Sequence, residues 1–305
     1  MTAHVLAQLT ASVERIKAHR VAVDAEAIRL RAPEFALAFD NQNAHQWCLS
    51  VVGDSLVRLR ILIDQNFNFV ETLGVVAVSR YLFELSVWLK LFEKDERYGL
   101  VYYGQLIETQ KSYYQSTLRQ LHREVELLRE FERRDDEEQE VLLAKAGSSE
   151  DRAKIIRSVG VSIDTEAARK FSIYSEQAKH NGYGFQAYLV EHKAIPPAEA
   201  ALHEIENERI TFDSEILSRI SDLALDKNGK TKRWKWNEKA REVGLQDEYD
   251  YIYAFSSKLL HATPASITTN QKNLEPEEIL IFLRYIEVKV SDVIDVSRTY
   301  CASAT

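Results

Sequence analysis

The stretch Val75–Phe92, VVAVSRYLFELSVWLKLF, decides the fold. Val75, Val76, Val78, Leu82, Phe83, Leu85, Val87, Trp88, Leu89, Leu91 and Phe92 leave no polar face at helical spacing, and a helix apolar all round lies in a core or a membrane. Ser79, Arg80, Glu84 and Lys90 interrupt the run. It is therefore read as the central helix of a soluble helical protein, not as a bilayer span. Arg80 and Glu84 sit one turn apart on the same side. Arg preceding Glu is the weaker order for a surface pair, and buried charges persist only when paired or hydrogen-bonded. The sequence thus poses the question of what this pair faces.

Bulk properties agree with a helical fold. Of 305 residues, 10 are Gly and 5 Pro, too few for a turn-rich β fold. Hydrophobic residues make up 45% and charged residues 28%, as in ordinary globular chains. A net charge of −8 gives no general attraction to nucleic acid, so any such contact needs a local patch. Cys48 and Cys301 lie far apart and the N-terminus reads as an amphipathic helix rather than a signal peptide, so the expectation is a reducing cytoplasm, no disulfide framework and no membrane.

Working outward, residues 3–30 form one amphipathic helix and residues 42–68 a mostly buried second one, the run Gln65-Asn66-Phe67-Asn68-Phe69 turning the chain into the central helix. Residues 97–145 keep helical spacing while the polar face grows charged. Between Glu130 and Glu140 stand seven acids and two arginines, so this segment is expected to be a long, protruding helical arm with a solvated end. Ser149 or Asp151 is the expected cap of the next helix. Tyr174, Tyr183, Phe185 and Tyr188 are expected on the core. Pro196-Pro197 is expected to stop that element, with a further helix over 198–225. Asn228-Gly229 marks a turn. Another helix spans Asp247 to about Ala262, ended by Thr263-Pro264, and Pro276, Glu277 and Glu278 open the last one, to Tyr300. The expected fold class is all-α, a single domain over 1–305, a multi-helix bundle around a buried central helix with a long helical arm.

The segment DEYDYIYAFSSKLLHATP carries a second polar stripe. Tyr253, Ser257 and His261 are spaced by four and share a helix face, with Tyr249 extending the row. His261 falls at the helix C-terminus, where the dipole favours its protonated form, and a group that titrates near neutrality suits acid–base chemistry or phosphate binding. The alternative is a structural histidine in a network that fixes helix register. Between these blocks Lys230, Lys232, Arg233, Trp234, Lys235 and Trp236 combine cations with aromatic rings, a pattern that suits RNA through charge and stacking. A solvated loop with two tryptophan anchors explains the same residues.

These motifs together, R-x-x-x-E at Arg80 and Glu84, W-x-W at Trp234 and Trp236, A-R-E-V-G-L at 240–245, and Y-x-x-x-S-x-x-x-H at Tyr253, Ser257 and His261, resemble an uncharacterised, mainly bacterial family of all-helical proteins. A helical core with a late His is more distantly similar to the HEPN superfamily, many of whose members are metal-independent ribonucleases of toxin and phage-defence systems. The usual Arg, separated from the His by four to six intervening residues, is absent here, those positions holding Ser256, Phe255 and Ala254. The resemblance therefore implies that Arg80 supplies the cation from another helix.

Two functions follow. In the first, a ribonuclease or nucleotide-processing enzyme, His261 is the general base or acid, Arg80 stabilises phosphate charge, Glu84 holds Arg80, and Tyr253 and Ser257 orient the imidazole. In the second, the chain is a non-catalytic scaffold or sensor that binds a partner protein or a second copy through its arm. No metal or cofactor motif is present. Glu176 with His180 and Glu199 with His203 share only a common i,i+4 spacing, and no P-loop or G-x-S-x-G elbow occurs.

Overall fold

The computed structural model describes residues 3–32, 39–68, 70–261 and 273–300. The expectations at Pro33, Phe69, Ala262, Thr263-Pro264 and Cys301 lie outside these residues. Among the described residues the protein is all-helical, with one isolated bridge, Leu225 to Thr231, closing the Asn228-Gly229 turn. Asp226 Oδ1 accepts the Asn228 and Lys230 amides there, and Gly229 takes φ 71°, the region that favours glycine.

The chain divides into two compact units, one of 1–103 with 215–305 and the other of 104–214. In the first unit α1 (Ala3–Ala18), α2 (Arg20–Arg29), α3 (Ala44–Asn66) and α4 (Thr72–Lys94) are followed, after the second unit's residues, by short helices and a long terminal helix. Helix α4 is the predicted central helix. Thirteen of its residues are buried, among them Leu82, Phe83, Trp88 and Phe92. It meets the length and apolarity of a membrane span, yet 67% of its most apolar window is buried within the protein.

The single N-terminal helix expected over 3–30 is two helices that bend at His19, whose amide bonds Ile16 O. The bend lets α1 pack on the terminal helix while α2 packs on α3. Asn43 caps α3 by accepting from the Gln46 amide, as the side chains of such residues do at helix starts.

Helix α5 (Tyr98–Leu143) is the long helix read from the sequence, 46 residues in one piece. It starts in the first unit and continues into the second, where it is joined by α6 (Ser149–Ala167), α7 (Ser175–Asn181), α8 (Tyr183–Leu189) and α9 (Ile195–Glu215). Leu121, Leu128 and Phe131 of α5 pack against Val159 and Ile163 of α6, Tyr183 and Ala187 of α8, and Ile195 of α9. The acidic run is partly paired: Arg133 bridges Glu130 and Glu137, and Arg134 meets Glu166 of α6. Glu124 is fully buried, and Gln120 Nε2, Ser172 Oγ and the Ile173 amide all donate to it.

Three local expectations are corrected in this unit. The cap of α6 is Ser148, which accepts from the Asp151 amide, rather than Ser149 or Asp151. Phe185 and Tyr188 are exposed, and Tyr188 stacks on His192. Pro196-Pro197 does not stop the helix but lies in the first turn of α9, directly after a π-helical turn at Val190–Ala194. A proline removes one amide donor and crowds the carbonyl four residues earlier. For these two prolines those carbonyls are His192 and Lys193, inside the widened turn, which absorbs the conflict without ending the helix.

Back in the first unit come a 3-10 turn (Leu217–Ile220), α10 (Ser221–Ala224), α11 (Trp236–Glu242), α12 (Gln246–Glu248), a π-helical turn (Tyr249–Tyr253), α13 (Ala254–Leu260) and α14 (Pro276–Thr299). Helix α14 starts as its sequence predicts, with Pro276 in the first turn and a reciprocal Glu275/Glu278 capping box. It lies along α1 and α4, while α3, α11, the π turn and α13 cover other sides of α4. The central helix is thus enclosed by the segments that carry the second polar stripe.

Candidate functional site

Arg80 projects from α4 toward the π turn and α13. Its Nε donates to Glu84 Oε1 at 3.1 Å, its Nη1 to Ser257 Oγ at 3.3 Å and its Nη2 to Tyr253 OH at 3.1 Å. The guanidinium carbon stands 4.6 Å from the Tyr253 ring centroid, within cation–π range. The side chains of Arg80 and Glu84 are 25% and 30% exposed, so the pair is neither a surface bridge nor sealed from a ligand. Four of the five predicted site residues, Arg80, Glu84, Tyr253 and Ser257, are therefore in one cluster.

The local backbone explains the alignment. Residues 249–253 form a π turn, a form that is rare and frequent at functional sites. The Tyr249 and Tyr253 rings stack at 4.9 Å, and both pack on Phe83 of α4. Ser256, about 100° round the helix from Ser257, is buried and bonds Ile252 O, while Phe255 packs on Phe282 of α14. Burial pushes the Tyr253 hydroxyl above its ordinary range, aided by Glu84 and opposed by Arg80. It stays a phenol near neutrality and keeps its proton to donate.

His261 is placed differently from its prediction. Helix α13 ends at Leu260, and His261 follows with extended backbone, φ −102° and ψ 145°. The four-residue row runs through Tyr249, Tyr253 and Ser257 and leaves the helix before His261, which is exposed at its C-terminal end.

The basic segment splits in two. Trp234 stacks on Trp88 of α4 at 4.2 Å, and Lys239 Nζ lies 5.4 Å from its ring centroid. Trp236 packs edge-on against Trp234. These two rings anchor the loop on the central helix. Lys230, Lys232, Arg233 and Lys235 are all exposed; Lys232 donates to Asp222 O and Lys235 pairs with Glu238.

The A-R-E-V-G-L block is an anchor for the same region. Glu242 Oε1 accepts from Tyr98 OH at 2.7 Å and Lys94 Nζ at 3.1 Å, and Oε2 from Lys239 Nζ at 2.9 Å. Gly244, at φ 75°, ends α11 in the left-handed conformation common at helix C-termini, and Leu245 N returns to Ala240 O. Burial pushes the Glu242 carboxyl up, but its three donors pull it further down, to about 2 from 4.5. A carboxyl depressed on folding stabilises the folded state above its unfolded pKa and loses that contribution as pH falls through the folded one. Stability is therefore expected to drop between about pH 4.5 and 2, and Glu242→Gln to flatten that part of the curve. Acid titration followed by circular dichroism on both proteins checks this, and superimposable curves would remove Glu242 from the acid transition.

A pocket of about 350 Å³ opens beside the cluster. Glu84 and Trp236 line it together with Asp54 and Arg58 of α3, Tyr81 and Trp88 of α4, and Tyr102 of α5. Sequence reasoning missed Asp54, Arg58, Tyr81 and Tyr102. The available signal was Asp54 and Arg58, charges four apart on a mostly buried helix, the same pattern that singled out Arg80 and Glu84. Among the described residues no group of three or more His, Cys, Asp or Glu side chains is arranged to hold a metal ion, and Glu176 is paired with Lys179.

Comparison with known proteins adds one match. A family described as a family of unknown function (DUF5677) matches residues 164–279. That range contains Trp234, Trp236, Tyr253, Ser257 and His261 and leaves Arg80 and Glu84 outside. No curated protein matches the chain, and no solved structure matches it.

Proposed function

We propose that the protein is a metal-independent ribonuclease or related nucleotide-processing enzyme, with its phosphate site at Arg80. The observation that carries this reading is the forked contact of Arg80 with Ser257 and Tyr253, on the segment that ends at His261. Three of the five guanidinium N–H donors are used, so two are left for a phosphate. The two hydroxyls accept from Arg80, which leaves their own protons to donate. The cluster is thus a concentration of donors around one fixed cation, the arrangement that stabilises charge developing on a phosphoryl group. His261 would take the 2′-hydroxyl proton as that oxygen attacks phosphorus, the bond from phosphorus to the 5′-oxygen would break, and the 5′-oxygen would take its proton from water. The products are a 2′,3′-cyclic phosphate and a 5′-hydroxyl end. The exposed Lys230 and Arg233 would follow the RNA backbone.

The test is incubation of purified wild type, Arg80→Ala and His261→Ala with RNA in chelator, and analysis of the ends produced. Cyclic-phosphate ends from wild type alone support the reading. Equal cleavage by all three folded proteins overturns it.

The second reading, a scaffold or sensor for a protein partner, is favoured by the paired state of the same cluster, since a network of this kind also fixes the register of one helix on another. On that reading RNA is untouched by wild type, and Arg80→Ala acts on stability alone.

A further inference from the structure

The pocket beside the Arg80 cluster has chemistry of its own. Its volume, about 350 Å³, is at the small end of ligand pockets, which run from about 300 to 1,000 Å³, and suits one nucleoside rather than a run of bases. Tyr81, Trp88, Tyr102 and Trp236 give it aromatic walls, and aromatic faces hold nucleobases by stacking whatever their sequence.

Its polar groups are selective. Glu84 commits Oε1 to Arg80, which leaves Oε2 for a ligand. Asp54 makes no hydrogen bond or ion pair among the described residues, and it lines the pocket with Tyr81 and Tyr102; burial raises both phenols, Arg58 opposes the rise at Tyr81, and the Asp54 charge adds to it at both. Those two hydroxyls therefore keep their protons. Ionised carboxylates only accept hydrogen bonds, and a phenol can donate. The complementary ligand edge carries adjacent N–H donors next to a carbonyl, which is the Watson–Crick edge of guanine. Uracil offers a single N–H between two carbonyl oxygens, so it can satisfy one carboxylate at most and turns a carbonyl toward the other, where guanine offers two adjacent donors. Arg58 stands at the mouth, 6.0 Å from the Tyr81 ring centroid, where a phosphate on the sugar would meet it.

We infer that this pocket is a base-recognition site that selects guanine, an inference that rests on the nucleotide reading of the adjacent cluster and names its substrate class. Aromatic walls with carboxylates also suit an organic cation. Here, however, Asp54 and Glu84 are balanced by Arg58 and Arg80, so a cation gains no net field, whereas a nucleotide uses both signs.

Calorimetric titration of the full chain with GMP, UMP and tetramethylammonium tests the pocket apart from the reaction. GMP is expected to bind at least about ten-fold more tightly than UMP, a ratio of the kind that hydrogen-bonding sites reach readily. Asp54→Asn and Trp236→Ala are expected to remove that preference. Asp54 is exposed, so its variant keeps the fold and is the decisive one. Equal binding of GMP and UMP, tetramethylammonium binding in place of GMP, no heat with any nucleotide, or a preference unchanged in Asp54→Asn each overturns the inference. If RNA cleavage dependent on Arg80 persists in that case, the reaction stands and only the base pocket falls. If GMP selectivity is found without cleavage, the pocket stands as a nucleotide-sensing site and the ribonuclease reading falls.

Discussion

Gly99→Ala is expected to destabilise the protein by about 3 kcal/mol, while the same change at Gly53 stabilises it by roughly 0.5–1 kcal/mol. Both glycines are helical, Gly99 in the first turn of α5 and Gly53 in the middle of α3. Alanine favours helix at each by similar amounts. They differ in what a methyl group would meet. At Gly53 nothing lies within 4 Å. At Gly99 the new carbon would press into the Ala44 carbonyl oxygen and come to 2.9 Å from Cys48 Sγ and 3.1 Å from Trp47 Cβ. A backbone carbonyl at the start of α3 cannot swing aside like the end of a side chain. The two helices would have to separate where Cys48 Sγ also contacts the Glu96 carbonyl. Thermal melts of the two variants and wild type decide the matter, and a Gly99→Ala protein that melts with or above wild type would show that this helix crossing can relax.

Arg80→Ala is the second large effect. On the ribonuclease reading, cleavage of RNA is expected to fall by roughly 10²–10³-fold, the usual consequence of removing one preorganised donor from a developing oxyanion. Stability is expected to fall by about 1–3 kcal/mol, since three hydrogen bonds to a charged group are lost and Glu84 is left without its partner. Arg80→Lys separates the two losses. A lysine keeps the charge and reaches Glu84, but it lacks the planar fork that spans two hydroxyls on the neighbouring helix. Its melting temperature should recover toward wild type while cleavage stays low. If Arg80→Lys cleaves like wild type, the fork has no role in the reaction.

The central helix, the long α5 and the capped start of α14 could be read from residues because each is a local signal: an apolar run without a polar face, unbroken helical spacing, and a proline followed by acids. The meeting of Arg80 and Glu84 with Tyr253 and Ser257 followed from two charged or hydroxylated stripes on helices otherwise committed to burial. What escaped was set by tertiary demands. The break at His19 follows from α1 and α2 packing on different helices. The passage of α9 through Pro196 and Pro197 depends on a widened turn that propensity does not encode. Trp88 read as core in its own helix, and only the return of α11 across α4 turned it into a pocket wall beside Asp54 and Tyr102. His261 shared a face with Ser257 only for as long as the helix was taken to continue, and it ends one residue earlier.

The π turn at Tyr249–Tyr253 also sets a phase. In an α-helix each residue advances the chain by about 100°, so the one extra residue held in that turn rotates everything after it by that angle relative to what precedes it. Ser257, which meets Arg80, and Phe255, which packs on Phe282 of α14, both lie beyond this turn. Losing one of the three residues between Tyr249 and Tyr253 would let the segment settle into regular α-helix with its composition almost unchanged. The stripe would then point past the guanidinium, so a length change here acts as a switch that no point substitution at the cluster itself can imitate.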